Sequence, residues 1–216
     1  MKTKLITFLT SLLCFNVYAT ECDQFFPNGK EIVIPGTTAL CNSFFVVLFD
    51  TTHEAPMVSA EITQPKDQRT NRTNDFHGDS RLKNDSPLPS DYDNSGFDRG
   101  HMTPAADAST PKQMSETFLM TNMTPQAPKL NRTAWRLMEE KVRGMDSKYI
   151  VTGAVYKYPA KTIGKHNIPV PASYYKVVYL KDGSKVAFNA TNLNEADVTE
   201  ISFKNLQEML EYKLPD

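Results

Sequence analysis

The residues best suited to chemistry lie together in Gly96-Phe97-Asp98-Arg99-Gly100-His101. In an extended segment side chains alternate, so Arg99 and His101 fall on one face while Asp98 and Gly100 take the other. That arrangement stands a base beside a cation. Histidine, with an ordinary pKa of about 6.5, can deprotonate water near neutral pH, and a guanidinium can neutralise phosphate oxygens without losing its own charge. Gly100 leaves its face of the strand bare, which permits close approach of another element. An isolated histidine is more often a structural residue bonded at a turn, so the segment needs support from elsewhere in the chain.

Support comes in sequence order. Arg72-Thr73-Asn74-Asp75-Phe76 and Asp91-Tyr92 precede the segment. Thr121-Asn122-Met123-Thr124-Pro125-Gln126, Leu130-Asn131-Arg132-Thr133-Ala134-Trp135 and Glu139 come after it, with residues 149–153 and 169–178 beyond. An Asp-Arg-Gly-His tetrapeptide alone is weak, but followed by Asn-x-Thr-Pro-Gln and Leu-Asn-x-x-Ala-Trp it is specific. The series resembles the DNA/RNA non-specific endonucleases, a family that includes secreted bacterial nucleases and endonuclease G. The resemblance runs from about Phe44 to the C-terminal helix. It implies an α+β chain with the ββα-metal (His-Me finger) nuclease fold, a central, mainly antiparallel sheet flanked by helices.

Carried over residue by residue, the resemblance makes His101 the general base and Asn131 the direct protein ligand of Mg²⁺, with Mn²⁺ able to substitute. Glu139 matches the acidic residue that holds a water of that ion. A single amide oxygen plus water suits Mg²⁺, which prefers octahedral oxygen ligands and keeps several waters. In a regular helix eight residues advance about 12 Å and turn about 80°, so Asn131 and Glu139 would need a bridging water, and Glu140 would face away. Arg99 and Arg72 are the candidates for stabilising charge on a transferring phosphoryl group, with Arg69 as the alternative to Arg72. Arg132 and Arg136 would touch backbone phosphates or solvate a helix face, and Trp135 belongs to the core stripe with Met138 and Val142. Asn131 also reads as a helix cap and Glu139 as a solvated charge. His53, His77 and His166 have turn contexts and no metal-ligand spacing.

The expected activity is hydrolysis of DNA and RNA with little sequence preference, leaving 5′-phosphate ends. An attenuated nucleic-acid-binding module of the same fold, or a hydrolase of smaller phosphodiesters, are the alternatives. The net charge of −1, which becomes −3 once Lys2 and Lys4 are removed with a leader, argues against a large basic footprint. A polyanion would have to be met locally, by Lys129, Arg132, Arg136, Lys141 and Arg143. No Walker A loop, GxSxG elbow or HExxH pair is present.

Residues 1–19 have the charged start, apolar run and small-residue end of a secretory signal, too short an apolar run to span a bilayer at about 20 residues. Residues 20–216 then form a single exported domain, periplasmic or secreted, with no membrane association after signal removal. Cys22 and Cys41 remain as an even pair in an oxidising compartment and are expected to form a disulfide. Asn131-Arg132-Thr133 is formally a glycosylation sequon, and a glycan there would abolish the metal ligand, which favours a bacterial exported protein. The sequence leaves a homodimer open.

The elements that must position these residues are legible in outline. Residues 43–50 and 57–63 read as a hairpin around His53-Glu54-Ala55-Pro56, and 64–95 as a long exposed polar loop. A short helix near 114–118 precedes a strand over 118–123, ended by Thr124-Pro125. A helix starts after Pro128 and stops at Gly144. Residues 149–155, 174–180 and 186–190 read as strands, the last two joined by Lys181-Asp182-Gly183-Ser184. Phe203, Leu206, Met209 and Leu210 mark a closing amphipathic helix.

Overall fold

The computed structural model describes residues 22–65, 67–68, 70–82 and 86–216. The expected signal and Arg69 lie outside them. Seven strands form one sheet: β1 (Thr37–Cys41), β2 (Phe45–Asp50), β3 (Ala55–Ile62), β6 (Ser147–Val155), β9 (Ser173–Leu180), β10 (Lys185–Thr191) and β11 (Thr199–Ile201). They lie in that spatial order, and every neighbouring pair is antiparallel. Two short ribbons stand apart from it, β4 (Asp98–His101) with β5 (Met123–Gln126), and β7 (Thr162–Ile163) with β8 (Ile168–Pro169). The helices are α1 (Pro111–Thr117), α2 (Pro128–Leu130), α3 (Arg136–Gly144) and α4 (Phe203–Met209), with a π turn at Asn131–Trp135 between α2 and α3.

The central strands are apolar on both faces because both faces are covered. One face packs Val46, Val58, Val151, Tyr175 and Val177 against Phe25, Phe26 and Leu206. The other packs Ile150, Tyr174, Val178 and Phe188 against Trp135, Met138 and Val142 of the long helix over 128–144. On β9 the alternation puts Lys176 in the row of Tyr174 and Val178, beneath that helix.

The expected hairpin of β2 and β3, the strands β6, β9 and β10, and helices α1, the long helix and α4 are all present. The strand expected over 118–123 is not. A 3₁₀ turn, Met120–Asn122, occupies its centre, and the strand is Met123–Gln126, with Thr124 and Pro125 inside it. Proline is tolerated there because β5 pairs only with β4 and its outer edge has no ladder bond to donate. The 64–95 region has no named strand among its described residues, several of which are pinned to the rest of the fold. Buried Asp79 accepts from Arg81 and Thr121, and buried Asp91 accepts from the backbone amides of Leu88, Lys165 and His166.

Cys22 and Cys41 form the expected disulfide, with Cα atoms 5.3 Å apart, and it ties the start of the described chain to the end of β1. Such a bond suits a chain that folds in an oxidising compartment. Closing this loop constrains the unfolded chain by roughly 3 kcal/mol in the chain-entropy argument. A Cys22→Ser, Cys41→Ser double variant should therefore lose about that much unfolding free energy in urea, and an unchanged midpoint would contradict it. No helix among the described residues is long and apolar enough to cross a membrane.

Candidate active site

The site is built by the β4–β5 ribbon and the helix that leaves it. His101 lies opposite Met123 and Arg99 opposite Pro125. Two residues beyond the end of β5 the long helix starts at Pro128, whose missing N–H is harmless at a first helical position. The π turn at Asn131–Trp135 then shifts the phase of α3 relative to α2. One extra residue in the turn removes about 100° of advance, so the roughly 80° expected between Asn131 and Glu139 shrinks to about 20°. Both side chains consequently line one cleft of about 390 Å³, together with His101, Arg99 and Arg72.

Asp98 orients the asparagine. Asn131 Nδ2 donates to Asp98 Oδ2 at 2.9 Å. An ionised carboxylate only accepts, so the amide nitrogen must face Asp98 and the carbonyl oxygen is turned away from it. Arg132 closes on the same carboxylate with two bonds, Nε at 2.8 Å and Nη2 at 2.5 Å. As the alternation of β4 requires, Asp98 works on the side of the strand opposite to Arg99 and His101.

The His101 ring sits edge-on to Phe118, centroids 5.1 Å apart, with Phe76 at 5.9 Å. Its Nε2 is buried and has no hydrogen-bond partner among the described residues. Burial, and then the neighbouring Arg72 guanidinium, lower the imidazole pKa from 6.5 to about 3, so the ring is neutral at physiological pH. Arg72 donates to Asn74 Oδ1 at 2.7 Å and stacks 4.9 Å over Phe118. Burial lowers its own pKa, with Glu139 opposing that shift. Arg99 is fixed by the Pro89 carbonyl at 2.8 Å and by Asp93 at 3.3 Å, above the rings of Phe76 and Tyr92.

Glu139 is the most perturbed acid of the cleft wall. Burial raises its carboxyl to about 7, against a pull downward from Lys176, whose Nζ is 3.8 Å away, while Asp107 adds to the rise. The Asn131 amide oxygen and the Glu139 carboxyl present hard oxygen donors, which suit Mg²⁺ or Mn²⁺ rather than a thiolate-seeking metal. Among the described residues no cluster of three or more His, Cys, Asp or Glu side chains forms a metal site, so water would supply most of the coordination.

Arg132, Arg136 and Arg143 also line the cleft, whereas Lys141 leans on Phe188 and Glu200. Glu140, expected to face away, lines the rim and pairs with Arg136, because the π turn brings it round with Glu139. Trp135 is buried as expected. The remaining histidines are bonded outside the cleft, His53 and His77 locally to Asp50 and the Asp75 carbonyl, and His166 to Asp91, 75 positions away in the chain.

Gly100 does permit the close approach expected of it. A Cβ at this position would stand 2.6 Å from Gln126 Cβ and 2.4 Å from its Oε1. Gly100→Ala should thus force β4 and β5 apart and destabilise the protein by about 1–3 kcal/mol, read by thermal unfolding. A wild-type melting temperature in that variant would contradict the packing.

The family model for DNA/RNA non-specific endonuclease matches residues 28–212. The chain belongs to the DNA/RNA non-specific endonuclease family. It is 35% identical over 152 residues to Nuclease C1 of Cunninghamella echinulata var. echinulata, a match covering 59% of this chain and 60% of that protein. It is 30% identical over 190 residues to mitochondrial endonuclease G of Bos taurus, covering 77% and 63%. This endonuclease-family chain thus spans under two thirds of the length of those curated relatives. A solved EndoG, in complex with EndoGI, superposes with a TM-score of 0.72 at 23% identity over 84% of this chain and 87% of the other. The fold is therefore the expected α+β, ββα-metal nuclease fold, with β4, β5 and the long helix as its ββα unit.

Sequence reasoning missed several residues that this endonuclease fold gathers at the site. Asp98 was visible only as the off-face residue of its strand, and Asp107 carried no signal. Lys176 and Glu61 had one: each is a charge in the middle of an otherwise apolar strand, SYYKVVYL and APMVSAEI.

Proposed function

We propose that the chain hydrolyses internal phosphodiester bonds of DNA and RNA with little sequence preference, using Mg²⁺ and leaving 5′-phosphate ends. The observation that carries this reading is one cleft holding a neutral His101, whose Nε2 has no hydrogen-bond partner among the described residues, together with Asn131, Glu139 and five arginines. In this reading His101 takes a proton from water as that water attacks phosphorus in line with the departing 3′-oxygen. Arg72 and Arg99 offset the charge gathering on the phosphoryl oxygens. Asn131 holds the divalent cation through its amide oxygen and Glu139 acts through water. When bound, the cation supplies charge stabilisation to the leaving and non-bridging oxygens.

Arg99, Arg132, Arg136 and Arg143 are paired with Asp93, Asp98, Glu140 and Asp107, yet together with Arg72 they supply the local cations with which an acidic chain could meet a polyanionic substrate. Contacts to phosphate carry no base information, in keeping with low sequence preference. The same proposal takes residues 1–19 as a removable signal and 20–216 as one exported domain, periplasmic or secreted.

Purified protein incubated with supercoiled plasmid, and separately with single-stranded RNA, should nick or cleave both with Mg²⁺ and neither with EDTA. Raising salt should slow the polymer reaction, because phosphate binding weakens with ionic strength. Turnover of a small phosphodiester with no cleavage of either polymer would defeat the proposal in favour of a smaller substrate. Binding without metal-dependent cleavage would leave an attenuated binding module.

A further inference from the structure

Beneath the cleft floor, three strands of the main sheet carry polar side chains where the neighbouring rows are apolar. Glu61 on β3, Thr152 on β6 and Lys176 on β9 are each about 1% exposed. Thr152 pairs directly with Lys176 across the ladder. The Lys176 Nζ donates to Thr152 Oγ1 at 2.5 Å, lies 3.8 Å from Glu139 Oε1, and sits 5.8 Å from the centroid of the Trp135 ring. A lysine is very rarely so fully buried unless it is paired. Removing its ammonium from water is costly, and a partner carboxylate in a fixed place is what offsets that cost.

We propose that Lys176 is a positioning residue for Glu139: anchored on Thr152, its ammonium holds the Glu139 carboxylate against the cleft floor, in the orientation the reaction needs. Substrate cannot reach Lys176, so it acts only through Glu139, and the inference rests on the role proposed above for that residue. Glu61 does not compete for the ammonium on equal terms. Neither of its carboxyl oxygens has a hydrogen-bond partner among the described residues, and burial, then Asp107, holds its pKa well above the usual carboxylate range. The ion pair that the Lys176 ammonium makes is with Glu139, at 3.8 Å. The packing of the long helix fixes the approach from the other side, since Trp135 precedes Glu139 by one helical turn.

The test is a double-mutant cycle on the full mature chain, with plasmid cleavage in Mg²⁺ read as separate kcat and KM. Lys176→Met keeps the volume and removes the charge. It should lower kcat about tenfold or more with KM unchanged, the usual effect of losing an orienting partner. In a Glu139→Gln background the same substitution should change kcat less than about twofold, because two residues acting through one interaction are not additive. Calorimetric titration with Mn²⁺ supplies a second readout, with affinity falling on Lys176→Met only when Glu139 is present. An equal loss in both backgrounds, or no loss of kcat in the first, overturns the proposal.

Far-ultraviolet circular dichroism, which does not depend on the contact between Lys176 and Trp135, reports whether the variant is folded. Should Lys176→Met fail to fold, Thr152→Val removes only the anchoring hydroxyl and should give a smaller kcat loss with the same dependence on Glu139. If Glu139→Gln alone leaves kcat intact, the role given to Glu139 fails and that of Lys176 falls with it. Metal-dependent cleavage by the wild type would still stand, so failure of the proposed activity is read separately.

Discussion

His101→Ala is expected to lower kcat on plasmid DNA about 10³-fold, the middle of the range for losing a general base, while KM stays within about threefold. The imidazole supplies the proton acceptor, and in the proposed mechanism it does not grip the substrate. The pH behaviour makes the prediction sharper. The folded pKa of about 3 lies below the ordinary 6.5, so the ring is unprotonated at every pH above the lower value. The wild-type kcat/KM should accordingly show no acid limb near 6.5 due to this histidine.

Stability should carry the same signature. Between pH 3 and 6.5 the unfolded chain binds a proton at His101 that the folded chain does not, so stability from this group is full above 6.5 and is lost as pH falls toward 3. His101→Ala should remove that acid sensitivity, giving a flatter melting temperature between pH 6.5 and 4. A variant with wild-type kcat, or one as acid-sensitive as the parent, would contradict the role and the environment respectively.

Asn131→Ala is expected to be the second large loss, about 10²-fold or more in kcat, with a higher Mg²⁺ requirement, since it deletes the one proposed protein ligand of the cation. Asn131→Asp is the more informative companion. Charge alone would favour it, because a carboxylate attracts a cation better than an amide does. The hydrogen bond decides otherwise: Asn131 Nδ2 donates to Asp98 at 2.9 Å, and an aspartate at 131 has no N–H to donate there. Two carboxylates would face each other and the side chain would swing out of place. Asn131→Asp should therefore bind Mn²⁺ no better than wild type by calorimetry and cleave plasmid more slowly. Full activity in either variant would remove Asn131 from the site.

Much of this was legible in the amino-acid order. The Gly96–His101 pattern placed Arg99 and His101 on one side of a strand, and the empty face of Gly100 is filled by Gln126 as that glycine implied. The apolar spacing of Trp135, Met138 and Val142 identified the buried stripe of the long helix, and the even pair Cys22 and Cys41 identified their own bond. The strand near 120 was displaced because apolar residues Phe118, Met120 and Met123 are buried equally well by a 3₁₀ turn, and periodicity over so few residues does not separate the two. Strand β1 escaped notice because TTALC is half polar and sits at the sheet edge.

Local order along the chain thus placed Arg99 and His101 on one strand face and Trp135, Met138 and Val142 on one helix face, because period-two and period-3.6 patterns are short-range and read directly, while the roles expected of base, cation ligand and phosphate clamp came from the family resemblance. Tertiary structure alone decided that Asn131 and Glu139 share a face, since a π turn shifts helical phase without announcing itself in composition. It also decided that Asp98 turns the Asn131 amide and that Lys176 lies under Glu139. These are contacts between residues 33 and 37 positions apart in the chain, and proximity at such separations is set by how sheet and helix pack, which no local pattern encodes.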